Sequence, residues 1–175
     1  MADPAGGGIA PSGAEPPKGK STHRILVDGD GAGRREIIFA QAMEFGAEVH
    51  WVNNYSQDAP KMREGLRLWT HMADKESQAV DIILMNLARR GDLVVTSDLG
   101  LACVVIAKGA AALSPRGQWF REEQIHQQME FRHLRAERKR AGLHSGGGPK
   151  PQRREDEQRF EDELRHALKG EHDSP

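Results

Sequence analysis

The stretch His23-Arg24-Ile25-Leu26-Val27-Asp28-Gly29-Asp30-Gly31-Ala32-Gly33 constrains the fold more than any other, because an apolar run stops abruptly in two carboxylates and a cluster of glycines. Such a run reads as a strand buried on both faces of a parallel sheet, and sheets of that kind collect ligands at the carboxyl ends of their strands. Asp28 and Asp30 would sit at that end. A second stretch repeats the arrangement: Asp92-Leu93-Val94-Val95-Thr96-Ser97-Asp98-Leu99-Gly100 is again an apolar run that finishes in an acid and a glycine. If the two strands are parallel neighbours, their terminal acids converge. Crowded carboxylates repel and are costly to desolvate unless a cation neutralises them, and hard oxygen donors suit Mg2+ or Mn2+. The bland alternative stands beside this one, since Asp after a strand commonly starts a turn or caps a helix.

The surrounding chain alternates helix and strand signals. Residues 32–45 carry Ile37, Ile38, Met43 and Phe45 among polar residues and stop at Gly46, the mark of a helix with a glycine C-terminus. Residues 47–53 alternate as a strand. Residues 54–74 read as a loop, with Leu66, Leu68 and Trp69 suggesting something short packed beneath it. Residues 75–90 place Val80, Ile83, Leu84 and Leu87 on one helical face, with Asp81 in the first turns, where capping explains an acid as well as chemistry does. Capping is the better explanation for Asp74. After Asp98 come an apolar helix over 99–108 containing Cys103, then a short strand ending at Leu113. The order predicts a three-layer α/β/α domain with a mostly parallel sheet over residues 23–120.

From residue 121 the composition changes. Residues 122–140 form a long helix with a thin apolar stripe of Ile125, Met129 and Leu134, and a basic end of Arg132, Arg135, Arg138, Lys139 and Arg140. A basic helix face binds phosphate backbone in some proteins and is a solvated surface in more of them. The glycine- and proline-rich segment 142–151, carrying Lys150, breaks the helix, and residues 153–168 return as a charged helix docked by Phe160, Leu164 and Leu168. Together these make a C-terminal helical extension over 121–170, with 171–175 a fraying tail. Residues 1–22, dominated by Gly, Pro, Ala and Ser, are expected to be a disordered extension.

The formal charge of −1 removes any global pull toward nucleic acid or membrane. A single cysteine excludes an internal disulfide and a thiolate zinc cluster, and Cys103 reads as a core thiol. No apolar stretch is long enough to span a bilayer and no signal-peptide core is present, so a soluble cytoplasmic protein is expected, its oligomeric state open.

Several of these stretches together resemble the YaiI/YqxD family of largely uncharacterised bacterial proteins, grouped with PIN-like nuclease domains. Ile25-Leu26-Val27-Asp28-Gly29-Asp30 is similar to the family's opening Asp-x-Asp strand. Ala79-Val80-Asp81, with Asp74 before it, resembles its acidic helix start. Gly91-Asp92-Leu93-Val94-Val95-Thr96-Ser97-Asp98-Leu99-Gly100-Leu101-Ala102 resembles its most specific signature. Leu113-Ser114-Pro115-Arg116-Gly117, Glu130-Phe131-Arg132-His133-Leu134 and Gly148-Pro149-Lys150 are similar to three later blocks. After Asp30, where the family commonly has Cys-Pro, this chain has Gly31-Ala32-Gly33.

The resemblance implies a PIN-like fold and, by extension, a Mg2+- or Mn2+-dependent nuclease cleaving RNA or DNA. Asp28, Asp30, Asp81 and Asp98 would be the catalytic and metal-binding acids. Thr96, Ser97 and Asp74 would support them, and Arg132, Arg135, Arg138, Lys139, Arg140 and Lys150 would hold the nucleic acid backbone. Two other readings stay open: a PIN-like protein that binds nucleic acid without cutting it, and an aspartate-nucleophile phosphatase. The second wants Thr or Val where Ala32 stands.

Overall fold

The structure, a computed structural model, describes residues 23–29, 33–55, 58–74, 78–142, 151 and 153–170. Asp30, Lys150 and the expected N-terminal extension lie outside the described residues. In chain order the elements are β1 (Arg24–Asp28), α1 (Arg35–Phe45), β2 (Glu48–Asn54), β3 (Arg67–Ala73), α2 (Ala79–Leu87), β4 (Leu93–Val95), α3 (Leu99–Ala107), β5 (Ala111–Leu113), α4 (Glu122–Arg140) and α5 (Arg154–Lys169).

The strands form one sheet in the order β3-β2-β1-β4-β5, and every pairing is parallel. β1 is its centre. Ile25, Leu26 and Val27 are fully buried because both faces are covered, which is why that strand reads as a continuous apolar run. Ile25 and Val27 pack with Phe39 of α1 and with Phe160, Leu164 and Leu168 of α5. Leu26 faces the other way, toward Val80 and Leu84 of α2 and Leu101, Ala102 and Val105 of α3. Two helical layers therefore enclose the sheet, the three-layer α/β/α arrangement of a PIN-like domain. α1 ends where expected, at Gly46 with φ 68°, a left-handed conformation that favours glycine.

Two segments differ from their reading in the sequence. Residues 54–74, expected as a loop with something short beneath it, contain the full strand β3, which pairs with β2 from Glu48↔Arg67 to Asn54↔Ala73. β3 is an edge strand, only partly covered, so Trp69 and Arg67 stay exposed and its apolar alternation is diluted. Among the described residues the crossover from β2 to β3 contains no helix, which removes the usual signal of a parallel unit. Cys103, expected in the core, is half-buried on α3.

The two C-terminal helices behave differently from each other. α5 places Phe160 and Leu164, both fully buried, in the same cluster as β1, so it completes a layer of the domain. α4 buries Ile125 and leaves Phe131 and Leu134 exposed. Among the described residues no helix is long and apolar enough to cross a membrane. Phe160→Ala should therefore lower unfolding stability by about 3–5 kcal/mol, measured in urea, as for any large aromatic truncated in a packed core. A loss below about 1 kcal/mol would mean that α5 is an appendage.

Candidate active site at the carboxyl edge of the sheet

The register of β1 and β4 pairs Val27 with Val95, so both chains leave the sheet side by side and at the same level. Asp28 is the last residue of β1 and is buried; Thr96 follows β4 and is wholly buried. The Thr96 hydroxyl donates to Oδ2 of Asp28 at 3.0 Å and accepts the backbone N–H of Asp98 at 3.0 Å. One side chain thus ties together two strand ends that lie far apart in the sequence. Asp98 is half-buried and caps α3: its Oδ1 accepts the N–H of Leu101 at 2.8 Å. The capping reading of Asp98 is correct, and the cap also orients the carboxylate beside Thr96.

The other expected site residues are placed less tightly. Asp81 is half-buried in the first turn of α2, whose N-terminus opens on the same edge because the helix follows β3. Ser97 is exposed between Thr96 and Asp98. Asp74 is exposed just past β3, two strands from β1, a lateral offset of about 10 Å by ordinary strand spacing. The structure does not bring it to Asp28. Arg132, Arg135, Arg138, Lys139 and Arg140 are all exposed, on the part of α4 beyond its buried anchor at Ile125.

Among the described residues no group of three or more His, Cys, Asp or Glu side chains is arranged to hold a metal ion. The donor chemistry at the edge nevertheless suits a hard cation: two carboxylates, each with one oxygen engaged by a neutral donor. Completing such a site requires Asp81, or Asp30 from outside the described residues.

Residues 26–170 match the family described as an uncharacterised BCR, YaiI/YqxD family. The chain belongs to that family. It is 35% identical over 144 residues to the UPF0178 protein Lmo1456 of Listeria monocytogenes, an alignment that covers 81% of this chain and 92% of the relative. It is 32% identical over 151 residues to a UPF0178 protein of Alkaliphilus metalliredigens, with 83% and 91% of the two chains covered. A UPF0178 protein of Bacillus pumilus is 32% identical over 149 residues, covering 85% and 88%. No solved structure matches the chain. The family match runs through α4 and α5, in keeping with the burial of α5 in the core.

Some residues of this YaiI/YqxD member that shape the site were not singled out in the sequence. Arg34, before α1, is buried; its Nε donates to the Pro115 carbonyl at 2.9 Å and its Nη1 to Glu157 at 2.8 Å, so it latches the turn after β5 and α5 to the start of α1. Gly29 is pressed against β2: a Cβ there would lie 2.5 Å from Nε1 of Trp51 and 2.8 Å from the Val52 carbonyl. On the face shared with α2, His50 and His71 meet with ring nitrogens 3.1 Å apart, and Trp69 stacks on His50. Neither histidine lies in a recognisable motif, so the pair had no signal.

Burial, reinforced by Arg24, His71 and Arg89, lowers the pKa of His50 to about 4, and burial with Arg24 lowers that of His71. Between that value and the ordinary 6.5 the unfolded chain binds a proton that the folded one refuses. Stability from His50 is therefore full above pH 6.5 and is lost as the pH falls toward 4. Urea midpoints should drop on acidification through that window, by up to about 3 kcal/mol for His50, and His50→Gln should flatten the dependence. At the edge itself, Thr96→Val should cost about 1–3 kcal/mol by removing the hydroxyl that donates to buried Asp28, whereas Thr96→Ser should restore most of it. Equal stability of the Val and Ser variants would contradict the role assigned to the hydroxyl.

Proposed function

We propose that this YaiI/YqxD protein is a Mg2+- or Mn2+-dependent nuclease that hydrolyses phosphodiester bonds at the carboxyl edge of β1 and β4. The observation that carries the reading is the Thr96 hydroxyl joined to both Asp28 and the backbone of Asp98. A neutral cap for one acid would need no link to the other. Asp28, Asp98, Asp81 and Asp30 are the residues that would hold the cation. Bound there, a divalent ion supplies a polarised water and charge stabilisation for the phosphoryl oxygens.

The side chains divide the remaining work. Asp28, buried and held by a hydroxyl, keeps a fixed orientation at the end of a rigid strand. Asp98 keeps one oxygen on the Leu101 N–H, so the helix start aims its carboxylate toward the edge. Thr96 positions both and touches no substrate; its role is that of an outer partner that orients ligands. The exposed Arg132, Arg135, Arg138, Lys139 and Arg140, with Lys150, would hold the backbone phosphates of RNA or DNA along α4.

Asp98→Asn is a clean test because asparagine caps a helix about as well as aspartate. The variant should remain folded and lose Mn2+-dependent cleavage of a labelled single-stranded oligonucleotide. Asp28→Asn should do the same, Thr96→Val should reduce cleavage by about 10–100-fold, and Thr96→Ser should retain most of it. Undiminished cleavage by Asp98→Asn would end the proposal; binding of the oligonucleotide without any cleavage by the intact chain would select a non-catalytic nucleic-acid-binding protein.

A further inference from the structure

Among the described residues a cavity of about 440 Å3 lies between α1 and the crossover that leads to β3, lined by Arg35, Glu36, Phe39, Asp58, Lys61 and Arg63. Its charges are not equivalent. Arg63 is held by both carboxylate oxygens of Glu36, at 2.7 and 2.8 Å, and lies over Phe39, so that pair is internally neutralised. Arg35, which also feels the Glu36 carboxylate, and Lys61 remain, facing Asp58. Both are exposed, and among the described residues neither forms an ion pair. Arg35 opens α1, where the first-turn amides add positive potential and no side chain supplies a cap.

The position matters as much as the charge. The Arg35 guanidinium lies 5.1 Å above the Trp51 ring, and that ring presses on Gly29, the residue after Asp28. The cavity therefore begins one aromatic side chain away from the acid edge. A polyanion held at the acid edge would therefore run next toward Arg35 and the cavity it lines with Lys61. A cavity of this volume falls in the range that takes a small ligand.

We infer that the cavity between α1 and the 58–63 segment is a subsite for a backbone phosphate and its nucleotide in single-stranded nucleic acid, with Arg35 and Lys61 as the phosphate contacts. The inference rests on the nuclease reading for its substrate class, yet it concerns binding and is tested without turnover. Arg63, locked on Glu36, forms a wall of the subsite. Asp58 faces the same space and disfavours a second phosphate there, which fits one nucleotide and not a cluster of phosphates.

The test is fluorescence anisotropy of a labelled single-stranded oligouridine on the full chain, with chelator present so that no cleavage occurs, at several salt concentrations. Lys61→Ala lies on an exposed segment, so its folding is not in question; Arg35→Ala and the double variant are checked by circular dichroism. The double variant should bind about tenfold more weakly or worse. The slope of log affinity on log salt should fall by about 0.7, the counterion release expected for one phosphate of a single strand. Lys108→Ala, a cation at the far end of α3, should change neither. An unchanged slope in the double variant, an equal loss in Lys108→Ala, equal binding of the matching duplex, or no binding by the intact chain would each overturn the subsite. Binding that depends on Arg35 and Lys61, with no cleavage when Mn2+ is added, would keep the subsite and reject the nuclease. Cleavage with unaltered KM and salt slope in the double variant would do the reverse.

Discussion

A single hydroxyl holds the ends of the two central strands in register. Thr96 donates to Asp28 across the strand pair and receives the amide that begins the approach to α3, so the chain can leave β4 in only one direction. The parallel pairing of Val27 with Val95 sets the level, and the burial of both Asp28 and Thr96 sets the stakes. A buried carboxylate without a donor costs far more than an exposed one. That contact joins the buried end of β1 to the helix start at Asp98.

Around it the fold works as a frame. β1 is enclosed by α1 and α5 on one face and by α2 and α3 on the other, and Arg34 ties the turn after β5 to α5 and the start of α1. The edge is therefore bounded by segments drawn from nearly the whole family domain. α4 is anchored by the buried Ile125, and its basic residues are exposed beyond that anchor.

Much of this was legible before the fold was known, and for a physical reason. Strands buried on both faces must be apolar throughout, so Ile25-Leu26-Val27 and Leu93-Val94-Val95 announced themselves, and the acids that ended them could only lie at the carboxyl edge. Gly46 marked the end of α1 because a left-handed residue was required there. β3 was hidden because an edge strand needs only partial burial, and its aromatic and basic residues look like loop chemistry. The His50–His71 pair and the Arg34 latch arise from contacts between elements, which spacing along the chain does not encode. β1 and β4 are the parallel neighbours on which the expected convergence of Asp28 with Asp98 was conditioned, and Thr96 bonds the Asp28 carboxylate and the backbone amide of Asp98.

The gathering of separate acids around one cation is tested most directly by calorimetric titration of Mn2+ into the intact chain and into Asp28→Asn, Asp98→Asn and Asp74→Asn. The proposed cation site would be single and saturable, weakened about tenfold or more in the first two variants and unchanged in the third, whose side chain sits two strands away. Binding of equal strength in Asp98→Asn and the unaltered chain would contradict it, and Asp98 would then be a helix cap and nothing further.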